Sequence, residues 1–406
     1  MSNERQLQEI KISGKIAAIF AGNKVHLYIN RSRLNGDRNN IPITWLVSPE
    51  TLIVDGQQEV YDITKPISLT TSNDGKREIW SIIPILSNNP VLAEEYADPD
   101  IIRFGDTYYL YPTTDGFTGW SGYRLSVFSS KDLVNWTNEG IILDLKSEVE
   151  YQNQCGRKVG IVPWATGNAW APAITEKNGK FYYYFCGYNK TSQEKAIGVA
   201  VSDSPIGPFK AKELPLLTME DCQKYDIKMG QTIDPAVYHE NNKSYLLFGN
   251  GHAAIVELED NMIDINHETL KNIEGAKDIR EAIYVNKIDD VYHFTWSSDD
   301  TGSENYSVNY GISHSLFGPI EFKYKLLEKE SNLNILGTGH HSILYIQEED
   351  KYLIAYHRFL TPLGQMQSGF GYHRELCFDW LEYKDGLFKK VIPTHRGITF
   401  KWEGEQ

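Results

Sequence analysis

Hydrophobic and polar positions alternate over short stretches rarely longer than eight residues. The stretches Thr107-Tyr108-Tyr109-Leu110-Tyr111, Lys180-Phe181-Tyr182-Tyr183-Tyr184-Phe185 and Lys351-Tyr352-Leu353-Ile354-Ala355-Tyr356 are aromatic and β-branched, and Gly, Asp and Asn clusters bound them. That pattern predicts strands and tight turns. Apolar spacing suited to a helix is not sustained over eleven residues; one short helix is predicted near Thr218 to Tyr225. Counting back 11 residues from successive aromatic strands gives five anchors: Asp98, Ala171, Asp234, Glu281 and His341. An x-Pro pair marks three of them, at Asp98-Pro99, Ala171-Pro172 and Asp234-Pro235. Two later turns are near-copies, Ser204-Pro205-Ile206-Gly207-Pro208-Phe209 and Ser315-Leu316-Phe317-Gly318-Pro319-Ile320.

The anchors lie 73, 63, 47 and 60 residues apart. A unit of four short antiparallel strands needs about 40 to 50 residues, the excess falling in loops. The repeat therefore predicts an all-β chain with a five-bladed β-propeller over residues 89–406. Residues 1–88 lie outside the repeat. Stretches there, Ile10 to Ile16 and Lys24 to Ile29, alternate as half-buried strands do, with a turn cluster at Asn73-Asp74-Gly75. They predict a small all-β accessory domain, ending within Ser87-Asn88-Asn89-Pro90.

Composition narrows the function classes. The 406 residues carry 40 Lys and Arg against 54 Asp and Glu, a net charge of −14. No basic face is available to displace counterions from phosphate, so nucleic acid is not an expected partner. No run of about 18 apolar residues predicts a membrane helix. The opening Met-Ser-Asn-Glu-Arg-Gln lacks the basic and apolar regions of a signal peptide, so a cytoplasmic location is expected. Cys155, Cys186, Cys222 and Cys377 stand far apart and are read as free thiols.

Equivalent positions in a propeller's blades share height and radius. The anchors therefore bring Asp98, Asp234 and Glu281, with a histidine, to one end of the axis. Crowded carboxylates disfavour one another's ionisation, so one can stay ionised as a base while another keeps its proton as an acid. Hydrolysis of a glycosidic bond with inversion uses such a pair, about 6.5 to 9.5 Å apart, with a water between base and sugar.

The motifs Tyr96-Ala97-Asp98-Pro99-Asp100-Ile101-Ile102, Ala169-Trp170-Ala171-Pro172, Ile233-Asp234-Pro235-Ala236, Arg280-Glu281-Ala282 and Gly337-Thr338-Gly339-His340-His341-Ser342 together resemble glycoside hydrolase family 43, whose fold is a five-bladed propeller. The resemblance covers about residues 88–395. It implies that Asp98 is the general base, Glu281 the general acid, and Asp234 the third acidic residue, which tunes and orients the acid. Asp100 stands where the family more often has Ser; the 11-residue anchor favours Asp98 over Asp100 as the base. No cofactor is implied for the chemistry, though a structural calcium near His340 is. Trp170 is a candidate sugar platform, Phe117 and Trp120 candidates for the entrance. Arg374, in Tyr372-His373-Arg374-Glu375-Leu376, is a candidate sugar contact or salt-bridge partner. Strand alternation points Arg280 away from the axis. The loop from Asp144 to Asn168, with Trp164, is expected to wall off one side of the cleft and favour exo action.

The reading that results is an inverting exo-glycosidase releasing α-L-arabinofuranosyl residues from plant oligosaccharides. The alternatives are β-D-xylosidase or dual activity, and a sugar-binding propeller without catalysis.

Overall fold

The computed structural model describes residues 5–12, 18–31, 34, 37–360 and 371–399. Strands up to Ser87 form two sheets. Leu7–Ile12 pairs with Ile43–Val47, and a five-stranded sheet runs Ala18–Ala21, Lys24–Asn30, Lys76–Ser87, Ile67–Asn73, Leu52–Asp55. Leu7, Ile10, Val25, Leu27, Leu69, Trp80 and Ile82 pack between them. Of the strand expected over Ile10 to Ile16, residues 13–16 lie outside the described residues. Asp74 and Gly75 make the two-residue turn into Lys76–Ser87, both with positive φ, the geometry that matches strand twist in a hairpin.

Five antiparallel blades follow. Their innermost strands are Tyr96–Phe104, Trp170–Lys177, Ala236–Glu240, Ile279–Ile288 and Gly339–Ile346 for blades I to V. Each innermost strand touches the next, and that of blade V touches that of blade I, so the ring closes. Blades II, III and IV have four strands and blade V three.

The aromatic runs are explained by burial on both faces. In blade II's Lys180–Tyr188, Tyr183 and Phe185 pack against Leu125, Val127 and Ile142 of blade I. Tyr182 and Tyr184 face Leu246, Phe248 and Val256 of blade III. Leu247 and Ile255 of blade III meet Phe294 and Trp296 of blade IV. A period of two with both faces apolar reads as a continuous hydrophobic strand. Each cluster lies between two sheets, so no blade buries its faces alone.

The near-copied turns adopt one conformation. Gly207 and Gly318 have φ of 83° and 75°, and their amides donate to Ser204 O and Ser315 O, each at 3.1 Å. The predicted helix is Met219–Lys224, capped by Thr218 and Asp221 reciprocally. The four cysteines are free. The loop from Asp144 to Asn168 does not wall the cleft. It adds Tyr151–Gln152 and Lys158–Ile161 to the outer edge of blade I, and Trp164 is buried, its ring stacked on Phe185. A Cβ at Gly198 would come within 2.5 Å of Trp164, so the glycine makes room for the indole.

The first and last segments of the ring meet at blade V. Asn89, buried, accepts from Phe378 N at 2.8 Å and donates to Phe378 O and Thr394 O at 3.1 and 2.9 Å. Asn88 N donates to Arg396 O and Val91 N to Leu376 O, both at 2.7 Å. One amide side chain thus ties the start of the ring to its last sheet. Replacing Asn89 with Ala strands the backbone groups of Phe378 and Thr394 in a dry site; a loss of about 3 kcal/mol is expected, read as a lower midpoint in urea with unchanged slope.

Candidate active site

Near the start of each innermost strand stands a residue in the left-handed region: Asp98 (φ 48°), Ala171 (42°), Asp234 (59°), Ala282 (58°) and His340 (39°). Such conformations cost about 1 to 3 kcal/mol outside glycine and persist where the surroundings enforce them. Here a repeated contact contributes. Ala171 N donates to Thr113 Oγ1 at 2.7 Å, Asp234 N to Cys186 Sγ at 3.2 Å and His340 N to Ser297 Oγ at 2.9 Å. Each acceptor lies on the second strand of the preceding blade. Asp98 N meets His357 Nδ1 of blade V at 3.3 Å. In blade III the matching residue is Gly249, whose amide pairs with Ile233 O. It offers no side chain, and the Ala282 amide turns to the Asp234 carboxylate instead.

The turn aims two side chains per blade at the axis, that of the left-handed residue and of the one before it. This corrects the count of 11. Strand pairing makes His293 and Leu353, not Tyr292 and Tyr352, the equivalents of Tyr109. Counting from Tyr292 therefore lands one residue before Ala282; in blade V the hairpin is two residues longer, His340 lies 13 before Leu353, and the count from Tyr352 lands one residue after it. Glu281 occupies the position of Trp170, one before the left-handed residue. His340 rather than His341 enters the pit; His341 Nε2 bonds Thr295 Oγ1 at 2.6 Å.

A pit of about 170 Å³ opens at that end, lined by Asp98, Trp120, Trp170, Gln231, Ile233, Asp234, Asn250, Arg280, Glu281, Asp300, Thr301, His340 and Arg374. All three anticipated carboxylates, His340, Arg374, Trp120 and Trp170 meet there. Phe117 is not among the lining residues: it is 37% exposed, with its ring 6.4 Å from that of Tyr123. Asp100 lies below the pit in the channel, accepts from Ile174 N at 2.7 Å, and is pushed up to about 7 by burial. Arg280 enters the pit, against the expectation from alternation, because the bulge between Ile279 and Glu281 breaks the period of two. Its Nη2 lies 3.2 Å from Asp300 Oδ2 and its Nε 3.6 Å from Glu281 Oε2.

The carboxylates sit in contrasting surroundings. Asp98 Oδ1 lies 3.1 Å from Arg374 Nη1, 3.1 Å from His357 Nδ1 and 3.4 Å from His340 Nδ1. Burial alone would raise its pKa, but Arg374, His340 and His357 outweigh that and hold it well below the carboxylate range. Arg374 is itself gripped by Asp115, Nε to Oδ2 at 2.9 Å and Nη2 to Oδ1 at 3.0 Å. Both anticipated uses of Arg374 coincide: it is salt-bridged and it faces the pit. Asp234 lacks a cation of that kind. Burial, then Glu281 and Asp98, push its pKa well above the ordinary value, and its buried Oδ2 has no hydrogen-bond partner among the described residues. Glu281 is held by two neutral donors, Tyr306 Oη to Oε1 at 2.8 Å and Asn250 Nδ2 to Oε2 at 3.0 Å. Tyr306, Asn250, His357 and Asp115 escaped the sequence reading because they lie outside the anchors.

The aromatic wall is fixed by backbone acceptors. Trp170 Nε1 donates to Trp120 O at 2.6 Å, and Trp120 Nε1 to Gly371 O at 2.7 Å. These two indoles, with Asp300 and Thr301, wall the pit where the Asp144–Asn168 loop was expected to. For a cation, Asp234, Glu281 and His340 offer ligand atoms all within 4.8 Å of one another. The orphaned Asp234 Oδ2 fits such a charge, although calcium needs about six to eight oxygens, so water would have to supply most of them.

Residues 87–388 match the family described as Glycosyl hydrolases family 43. The chain belongs to this family. It is a glycoside hydrolase on a five-bladed propeller. Among similar family members, the Aspergillus niger beta-D-galactofuranosidase xynD is 25% identical over 320 residues, spanning 76% of this chain and 85% of that one. The arabinoxylan arabinofuranohydrolase of Paenibacillus polymyxa is 25% identical over 351 residues, 77% of this chain but 52% of its own length. The chain thus spans about half of that relative. A thermostable family-43 glycoside hydrolase superposes with a TM-score of 0.60 at 22% identity, covering 75% of this chain and 95% of that one.

The pKa of Asp234 generates a prediction with a definite sign. Its folded value lies above its unfolded one, so folding binds its proton more tightly, and stability falls as pH rises from the unfolded toward the folded value. Asp234→Asn removes that burden. Its Tm should exceed the parent's at pH 7, while below about pH 4 the two converge. A parent as stable as the variant at pH 7 would show that Asp234 is not a strained charge.

Proposed function

We propose that the protein is an inverting exo-acting α-L-arabinofuranosidase on plant-derived oligosaccharides, with Asp98 as base, Glu281 as acid and Asp234 as the residue that tunes and orients the acid. The observation that carries this is the electrostatic split within one pit. Asp98 faces Arg374 and stays ionised, ready to take a proton from water. Glu281 is fixed by two neutral donors, Tyr306 and Asn250, with the Arg280 guanidinium farther off at 3.6 Å. In the reaction, Asp98 draws a proton from a water on one face of the sugar as Glu281 gives one to the leaving oxygen. Positive charge grows on the ring and its oxygen, and the ionised Asp98 supplies negative potential that stabilises it. The Trp120 and Trp170 walls give a furanose or pyranose ring an apolar face to stack on, and a pit of about 170 Å³ has room for little more than one terminal residue.

Arabinofuranosyl is favoured because relatives carry that name, including the arabinoxylan arabinofuranohydrolase of Bacillus subtilis and the xylosidase/arabinosidase 43A of Humicola insolens. The latter name supports β-D-xylosidase or dual activity as the second reading. A non-catalytic binding propeller has no use for so costly a set of buried charges. No cofactor takes part in these steps. A calcium held near His340, satisfying Asp234 Oδ2, would supply only positive charge to the crowded floor.

A panel of nitrophenyl α-L-arabinofuranoside, β-D-xyloside and β-D-galactofuranoside, followed by arabinan and arabinoxylan oligomers, tests the assignment. Release is expected first from the arabinofuranoside; release from none of these overturns hydrolysis of such sugars. Glu281→Ala should lower kcat on oligosaccharides by about 10²- to 10⁴-fold while sparing nitrophenyl substrates in part, because an activated leaving group needs little protonation. Equal losses would remove Glu281 from the acid role.

A further inference from the structure

Two buried rings lie between the acid and the base. Tyr306, fully buried where blade IV's third strand begins, donates its hydroxyl to Glu281 Oε1 at 2.8 Å. His357, fully buried on Lys351–Phe359 of blade V, places Nδ1 3.1 Å from Asp98 Oδ1. The rings stack nearly parallel, with centroids 5.5 Å and planes 8° apart. A continuous path of packed groups therefore runs Glu281, Tyr306, His357, Asp98, and crosses from blade IV to blade V at the stack.

Space for it is specific. A Cβ on Gly339 would lie 2.3 Å from Tyr306 Cδ1 and Cε1, so any other residue there displaces the tyrosine ring. Gly339 has no positive φ, so the requirement is room rather than backbone conformation.

Both rings are neutral donors. Burial, with Glu281 beside it, raises the Tyr306 hydroxyl well above its ordinary pKa. Burial and Arg374 bring His357 down to about 3. A neutral imidazole has one proton. On Nδ1 it makes a charge-assisted bond to the Asp98 carboxylate, and the 3.3 Å approach of Asp98 N is then a contact without a hydrogen bond; on Nε2 it would be buried with no acceptor among the described residues.

We infer that Tyr306 and His357 act as a single positioning unit that fixes Glu281 and Asp98 relative to each other, Tyr306 aiming the acid and His357 the base. The inference rests on the roles proposed above for those two carboxylates. Its importance follows from the reaction. The acid must reach the leaving oxygen while the base reaches a water on the opposite face, and a misplacement of about 1 Å can cost about 10²-fold in rate. Acid and base come from different blades, so small shifts of one sheet against the other would change their separation. The stack ties blade IV to blade V and the His357–Asp98 contact ties blade V to blade I, so together they oppose that shift.

Tyr306→Phe keeps the ring and the stack and removes only the hydroxyl. It is expected to lower kcat on unactivated oligosaccharides by about 10- to 100-fold, and on nitrophenyl glycosides by less than about 3-fold, with KM little changed. His357→Gln should lower kcat equally on both substrates, because both need the water activated. In the double variant the losses should combine to clearly less than the product of the single effects, as groups acting as a unit do. A general weakening of the fold would not produce this split between substrates. Equal losses for Tyr306→Phe on both substrates, no loss at all, or multiplicative losses in the double variant would overturn the inference. Glu281→Ala, run alongside, separates the two ideas. A leaving-group split in Glu281→Ala without one in Tyr306→Phe sinks the positioning unit alone, whereas no split in Glu281→Ala sinks the acid assignment beneath it.

Discussion

One buried guanidinium makes the site possible. The ring of blades drives Asp98, Asp234 and Glu281 into a single pit, each at least nine-tenths buried. Like charges so close, out of water, cannot all ionise freely. Arg374 breaks the symmetry. Held bidentately by Asp115, it leaves one amino group for Asp98. That contact, with His340 and His357, keeps Asp98 ionised, while Asp234, without such a partner, is pushed well above its ordinary pKa. Replacing the pair Arg374–Asp115 by apolar groups of the same size could leave the fold as stable; it would not leave the carboxylates different from one another.

The fold supplies the rest through a repeated local device. Left-handed residues stand near the start of all five innermost strands, at five of the crowded positions around the axis. The second strand of the preceding blade meets four of those five amides with a side chain. Where that side chain is missing, at Gly249, the freed amide of Ala282 faces the carboxylate that has no cation. Strain, packing and charge are thus arranged by one motif, varied blade by blade, and the catalytic differences arise from which residue fills each variation.

Much of this was legible from sequence because it depends on periodicity. Aromatic strands buried on both faces stand out against polar turns, and five of them in order point to radial repetition. Asp98 and Asp234 were found from spacing because their blades follow the count of 11. Glu281 was found for a less secure reason: Tyr292 stands one residue before the true marker, and Glu281 also stands one residue before its blade's left-handed position. In blade V a hairpin two residues longer puts His340 13 residues before Leu353, so the count selected His341, which faces Thr295. Arg280 and Trp164 were misjudged where a bulge or an added edge strand broke the regular pattern. Tyr306, Asn250 and His357 leave no local signal, since a Tyr, an Asn or a His on a strand is ordinary until a second blade brings a carboxylate against it.

The account rests on Asp98 activating water rather than attacking the sugar. Proton NMR of the first sugar released from an α-L-arabinofuranoside, taken before mutarotation, tests this most directly. The β-anomer is predicted as the initial product, with the α-anomer growing in later. An α-anomer formed first would mean that a carboxylate had bonded to the sugar, and would contradict the role of Asp98 and the electrostatic division built on Arg374.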